Sequence, residues 1–186
     1  MKKNSQVQLL KNEIKRLKKL VYLDPLTKIY NRRGFSEIGS RYFQFNIKGK
    51  QKRRKNEISK LTIIFLDIDD FKKVNDKHGH NKGDKVLRAF TRFLKKNLRK
   101  TDIIARWGGE EFVVLLVNIS EDKSKQIVQK LCRKISKNKM SGLYLTVSAG
   151  LTFPCKNENL SQVINRADKL MYQAKKQGKN MVIISK

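Results

Sequence analysis

Ile103-Ile104-Ala105-Arg106-Trp107-Gly108-Gly109-Glu110-Glu111-Phe112-Val113-Val114-Leu115-Leu116-Val117 holds two strand-like apolar runs, 103–107 and 112–117, on either side of two glycines and two acids. β-Branched and aromatic residues suit a pleated surface and glycines suit a tight turn. The stretch therefore predicts a hairpin that carries paired carboxylates on its tip. Taken alone the tetrad is a weak signal, because ordinary turns also favour glycine.

Leu61-Thr62-Ile63-Ile64-Phe65-Leu66 reads as a buried strand ending abruptly in Asp67-Ile68-Asp69-Asp70. Asp67 at that strand end and Glu110 on an adjoining hairpin tip would each lose hydration and would repel one another, and a bound cation resolves both costs. Mg2+ suits such a pair because it takes oxygen ligands and keeps positions for phosphate oxygens. Gly108 and Gly109 extend the idea, since a residue without Cβ permits positive φ and lets a phosphate approach the backbone. Spacing alone leaves open that the acids simply solubilise strand ends.

Helical spacing governs much of the remainder. Val7, Leu10, Ile14, Leu17 and Val21 alternate by three and four residues along an N-terminal helix over 1–22. That stripe either pairs with a second copy, the preferred reading, or docks on its own domain. Asp24-Pro25 then stops the helix. Residues 33–45 read as a helix, 48–60 as a basic exposed loop, and Val86, Leu87, Phe90, Leu94 and Leu98 as an amphipathic helix after Gly83-Asp84. Further on come a helix over 124–135, a strand over 143–152, a helix over 160–176 and a closing strand over 181–184.

The 186 residues, 39% hydrophobic and 32% charged, suit one compact domain, 23–186, behind the first helix. A formal charge of +28 favours phosphate-rich partners, whether nucleotide, nucleic acid or anionic membrane surface, although lysines spread along the chain read first as a solvated exterior. Cys132 and Cys155 form no CxxC pair, which fits a reducing cytoplasm. Asn4, Ser5, Gln6 and Gln8 stand where a secretion signal would be apolar, and every apolar run is far shorter than the roughly 18 residues of a membrane span, so no membrane insertion is expected.

Arg106-Trp107-Gly108-Gly109-Glu110-Glu111-Phe112 resembles the signature of the GGDEF family, the diguanylate cyclases, in its Glu-Glu form. Asp24-Pro25-Leu26-Thr27 with Tyr30-Asn31-Arg32-Arg33 resembles the family's opening motif. Asp67-Ile68-Asp69-Asp70-Phe71-Lys72 with Asn75-Asp76, followed by Gly79-His80 and Gly83-Asp84, resembles its metal and nucleotide segment. Ala167-Asp168, Tyr172-Gln173-Ala174-Lys175 and Gly178-Lys179-Asn180 resemble the closing motif, so the likeness runs from Tyr22 to Lys186. So many ordered motifs make chance an inadequate account.

The resemblance implies an α+β fold, a palm-like and mostly antiparallel sheet flanked by helices as in nucleotide cyclases and polymerase palms. It implies condensation of two GTP into cyclic di-GMP with release of pyrophosphate. Position by position, Asp67, the Ile68 carbonyl and Glu110 would bind Mg2+ or Mn2+, two per active site. Glu110 would activate the 3′-hydroxyl with Glu111 in support. Asn75 and Asp84 would hydrogen-bond the guanine edge, His80 would shape the pocket, and Gly108 and Gly109 would admit phosphate. Lys72, Lys175 and Lys179 would contact the triphosphate, Lys179 standing where many members carry Arg. One nucleotide per domain implies a catalytic homodimer tethered by the first helix.

Arg99-Lys100-Thr101-Asp102 resembles the family's RxxD product-inhibition motif, which implies a second site for cyclic di-GMP. Without that context it reads as a helix-end Arg beside an acid. Only a short helix precedes the motifs, so two readings stand: activation through association with a sensor or regulatory protein, or no input at all. Two rivals stand beside the cyclase: a module that binds cyclic di-GMP without turnover, and, less favoured, a nucleic-acid binder using Lys52-Arg53-Arg54-Lys55. His78 and His80 lack the paired spacing of a zinc site.

Overall fold

A strand covered on both faces favours apolar residues, and β2 (Leu61–Ile68) is buried throughout and apolar at every position except Thr62 and Asp67. In the computed structural model, which describes residues 2–48, 60–156 and 158–185, Leu61, Ile63 and Phe65 enter one core with helices α2 (Arg32–Lys48) and α6 (Leu160–Lys176). Ile64, Leu66 and Ile68 enter a second core with α4 (His80–Asn97) and α5 (Glu121–Lys137). The two-residue period of the strand thus divides the molecule into helix, sheet and helix layers.

The sheet joins β1 (Tyr30–Asn31), β3 (Ile103–Arg106), β4 (Glu111–Val117), β2, β7 (Val147–Thr152) and β8 (Val182–Ile184) in the order β1-β3-β4-β2-β7-β8. Its three inner joints are antiparallel and its two outer ones parallel. This is the expected α+β architecture, a mostly antiparallel sheet flanked by helices. The N-terminal helix α1 (Lys2–Tyr22) precedes it and stops before Asp24-Pro25. Val7, Leu9, Leu10, Ile14, Leu17 and Leu20 of α1 are exposed among the described residues. Residues 49–59, with Lys52-Arg53-Arg54-Lys55 and nearly all of the expected basic loop, lie outside the described residues. Among the described residues no helix is long and apolar enough to cross a membrane.

Two expectations differ from the fold. The strand expected over 143–152 is split into β6 (Leu143–Tyr144), paired with β5 (Lys139–Met140), and β7. Beside the break, the Thr146 carbonyl accepts from the Asp69 amide at 3.0 Å and its hydroxyl donates to the Asp69 carboxylate at 2.6 Å, while β6 turns away to pair with β5. Gly83 and Asp84 lie inside the first turns of α4 rather than before it, because a separate helix α3 (Phe71–His78) ends at Gly79, whose φ of 77° breaks the path. Helix α3 buries only Phe71, so it shows little apolar periodicity.

Helix α6 reaches the sheet over Gly150 of β7. A Cβ there would run into the Ala167 carbonyl and lie 2.6 Å from the Met171 amide, and neither backbone atom can swing aside. Gly150→Ala is therefore expected to destabilise the fold by about 1–3 kcal/mol, the usual cost of overpacking. An unchanged urea midpoint would show that α6 is free to lift away.

Candidate functional site

Strand register decides which carboxylates meet. Asp67 pairs across the sheet with Glu111, and the Ile68 amide donates to the Glu110 carbonyl at 3.3 Å. Asp67 shares the α6 face with Phe65 and is buried. Its Oδ2 accepts from Lys175 Nζ at 2.7 Å, while Oδ1 is buried without a partner among the described residues. Its carboxyl is pushed from 3.8 up to about 6, first by burial and then by the charges of Glu110 and Glu111, against the pull of Lys175. Glu111 is also raised, first by burial, then by Asp168 and Glu110, against the pull of Lys175 and Arg32. Among the described residues neither glutamate has an ion-pair partner of its own.

The hairpin tip is held from outside. Arg106 donates to the Gly109 carbonyl through Nε at 2.9 Å and Nη2 at 2.7 Å, and its Nη1 meets Asp24 at 3.2 Å. Burial alone would raise Asp24, but hydrogen bonds from the Thr27 hydroxyl and amide, with the charge of Arg106, outweigh it and hold the carboxyl low. Trp107 lies edge-on to Phe35 and Phe65 with the Arg32 guanidinium 4.7 Å over its ring. Neither Gly108 nor Gly109 adopts positive φ, which corrects that half of the glycine expectation. The other half has a concrete form: the space a Gly108 Cβ would fill is taken by the Glu111 carboxylate, and the space around Gly109 is open.

Cations and polar groups flank this cluster. Lys179 sits in a turn after α6 where Gly178, Lys179 and Asn180 all have positive φ, and its Nζ meets Asp70 Oδ1 at 2.9 Å, which raises the ammonium. Asn75 on α3 faces α4, its amide oxygen filling the place of a Gly83 side chain. Asp84 is half-exposed with Arg88 3.9 Å away, and Lys72 and His80 are exposed. The structure thus brings Asp67, Glu110, Glu111 and Lys175 together, sets Lys179 beside them, and places Asn75 and Asp84 at the α3–α4 corner.

Arg99 and Asp102 stand apart, at the far end of β4. Arg99 Nη2 is 2.7 Å from Asp102 Oδ1 and 2.8 Å from the Val117 carbonyl. Six residue steps separate Val117 from Glu111, about 20 Å along a strand. Asp168 and Arg32, which act electrostatically on Glu111, Arg106 with its grip on the tip, and buried Asp69 received no role from sequence. All four lie inside motifs quoted above, but only folding shows what they touch.

Whether a divalent cation suits the site turns on the donors. Among the described residues no three His, Cys, Asp or Glu side chains form a ready-made cage. The orphaned Asp67 oxygen beside two under-compensated glutamates is instead an incomplete oxygen set, the kind that holds Mg2+ jointly with substrate phosphates and water.

A family model described as diguanylate cyclase, GGDEF domain, matches residues 21–181. The chain is 39% identical to diguanylate cyclase DgcP of Pseudomonas aeruginosa over 166 residues, 87% of this chain and 24% of DgcP. Its share of other curated relatives rises to 47%, so it spans less than half of their length. The coiled coil and GGDEF domain of DgcB from Caulobacter crescentus, in complex with c-di-GMP, has the same fold, with a TM-score of 0.85 over 99% of this chain and 96% of that one at 24% identity. Diguanylate cyclase SiaD from Pseudomonas aeruginosa, in complex with its activator SiaC, matches at a TM-score of 0.77 and 29% identity over 98% of this chain and 69% of that one.

Between about pH 4 and 6 the folded chain keeps a proton on Asp67 that the unfolded chain has released. Stability from this group therefore falls as pH rises through that window and stays low above it. In cation-free buffer at pH 7.5, Asp67→Asn is expected to stabilise the fold by about 2 kcal/mol and to do little at pH 4. Added Mg2+ is expected to raise the melting temperature of the parent and not of the variant. Equal calorimetric melting of the two proteins at pH 7.5 would refute the under-compensated carboxylate.

Proposed function

The chain belongs to the GGDEF-domain family of diguanylate cyclases, and we propose that it condenses two molecules of GTP into cyclic di-GMP with release of pyrophosphate. The observation that carries this reading is the half-satisfied Asp67 carboxylate, held between Lys175 and the Glu110-Glu111 hairpin tip. Both acids of the GGEEF motif are in place beside Asp67, which sets the active enzyme above a binding-only module.

Asp67, the Ile68 carbonyl and Glu110 would hold the divalent cations, Mg2+ or Mn2+, two per site. When bound, these supply charge stabilisation to the attacking and leaving oxygens. Glu110 takes the proton of the 3′-hydroxyl, with Glu111, its carboxyl raised by burial, holding negative charge close by. The freed 3′-oxygen attacks the α-phosphorus of the facing GTP, an O–P bond forms, and pyrophosphate leaves. Repetition in the opposite sense closes the ring. Lys175 exchanges the Asp67 carboxylate for phosphate, and Lys72 and Lys179 add charge along the triphosphate. Asp84 accepts from guanine N–H donors beside Asn75, a pattern adenine does not offer, and His80 closes the pocket.

With one nucleotide per domain, two copies must face each other. The exposed apolar stripe of α1 supports a division of labour in which 1–22 pairs the chains and 23–186 performs the chemistry. A cytoplasmic setting fits a GTP-consuming enzyme, and SiaD, bound to its activator SiaC, supports control by a regulatory protein. Cyclic di-GMP would feed back at Arg99 and Asp102. Their pairing in the free chain is a closed state, which product opens by offering phosphate to the guanidinium and a guanine edge to the acid.

Asp67→Asn and Glu110→Gln are each expected to cut product formation at least about 100-fold, the scale of losing one charge-stabilising group. Product mass and pyrophosphate release, with ATP as control, read the outcome; wild-type rates in both variants would sink the proposal. Arg99→Ala should turn over GTP normally yet stay active as product accumulates, and retained inhibition would exclude the second site.

A further inference from the structure

The strand end at 67–70 touches the end of α6 and its turn in three places: Asp67 Oδ2 to Lys175 Nζ at 2.7 Å, Asp70 Oδ1 to Lys179 Nζ at 2.9 Å, and Asp69 Oδ2 to the Asn180 amide at 3.0 Å. The first two are ion pairs between side chains. A triphosphate that recruits Lys175 and Lys179, as in the reading above on which this inference rests, must break both. Asp70 is a poor fixed point in any case, being half-exposed and shared with Lys73 at 3.0 Å. The third contact ends on backbone and has no reason to open.

Asp69 is built to be permanent. It is buried, and its oxygens accept from the Thr146 hydroxyl at 2.6 Å and the Ser148 hydroxyl at 2.6 Å as well as from Asn180. The turn it grips needs holding. Gly178, Lys179 and Asn180 have φ of 114°, 65° and 48°, and left-handed backbone at a non-glycine residue costs roughly 1–2 kcal/mol. The Lys179 amide donates to the Ala174 carbonyl at 3.0 Å on the helix side, and Asp69 closes the sheet side.

We propose that Asp69 is a positioning residue that keeps the Lys179 turn in place while Lys175 and Lys179 exchange carboxylate for nucleotide phosphate. It touches neither substrate nor reacting atoms; it acts through Lys179. The expected signature is a loss of nucleotide binding that disappears once Lys179 is absent.

The test is calorimetric binding of 3′-deoxy-GTP, which lacks the attacking hydroxyl, with Mg2+ to the full chain, paired with steady-state turnover of GTP. Asp69→Asn should weaken binding about tenfold, the weight of one charge-assisted hydrogen bond, and raise KM to match, with kcat within about threefold. Lys179→Ala should weaken binding too, and the double variant should bind no worse than Lys179→Ala alone. Thr146→Val, which removes one donor that aims Asp69, should move binding the same way by less; it carries the test if Asp69→Asn does not fold. Parental affinity in Asp69→Asn, or in Thr146→Val where the former is unfolded, overturns the proposal. So does a double variant whose loss is the product of the single losses. A parent chain that shows this binding pattern yet makes no cyclic di-GMP would refute the cyclase reading and leave Asp69 in its role.

Discussion

The contact between the Asp67 carboxylate and the Lys175 ammonium is the constraint around which the molecule is arranged. A carboxylate at the end of a fully buried strand must find countercharge, and here one oxygen has it and the other does not. The Lys175 side chain is 31% exposed, so its ammonium can leave Asp67 for another anion, and the pair is poised for exchange. Lys175 can reach Asp67 only because α6 lies hard on β7 at Gly150, and Asp67 faces α6 only because it shares the parity of Ile63 and Phe65 on β2. A one-residue slip of that strand would send the carboxylate into the opposite core.

Charge is distributed to the same end. The chain has 44 Lys and Arg against 16 Asp and Glu, yet Asp67, Asp69, Asp70, Glu110, Glu111 and Asp168 gather around one end of the central strands. The overall field of such a protein draws polyanions. The local field at the strand end repels them until cations and the flexible lysines intervene. A nucleotide triphosphate accompanied by divalent metal answers both conditions, whereas a nucleic-acid backbone answers only the first.

Most of the fold was legible because it is written in burial. β2 and β4 are continuous apolar runs since helices cover both faces, and α6 occupies the stretch 160–176 that its periodicity marked. Helix α3 escaped notice because a helix that buries one residue leaves no periodic trace. The break before β7 has a different reason: Leu143 and Tyr144 pair with Lys139 and Met140 while Val147–Thr152 pairs with β2, and no local propensity encodes that change of partner. At the site, Asp67 and Glu110 drew attention as acids beside apolar runs, but Asp69 reads identically and only its three donors reveal a structural anchor. Gly108 and Gly109 were expected for two reasons, of which the structure uses only the missing Cβ.

The glutamate-bearing hairpin is held at both ends by groups that sit where regulation would enter. At its tip Arg106 joins the Gly109 carbonyl to Asp24, two residues beyond α1, and Asn31 ties the same region by donating to the Val21 carbonyl at 2.9 Å. At the other end of β4, Arg99 bonds the Val117 carbonyl. Both attachments belong to the hairpin that carries Glu110 and Glu111. Pairing of α1 with a second copy, as proposed, would bear on the first attachment, and product bound at Arg99 and Asp102 would bear on the second. In the proposed enzyme, activation and feedback thus converge on the placement of the same two carboxylates, and neither needs a rearrangement of the core.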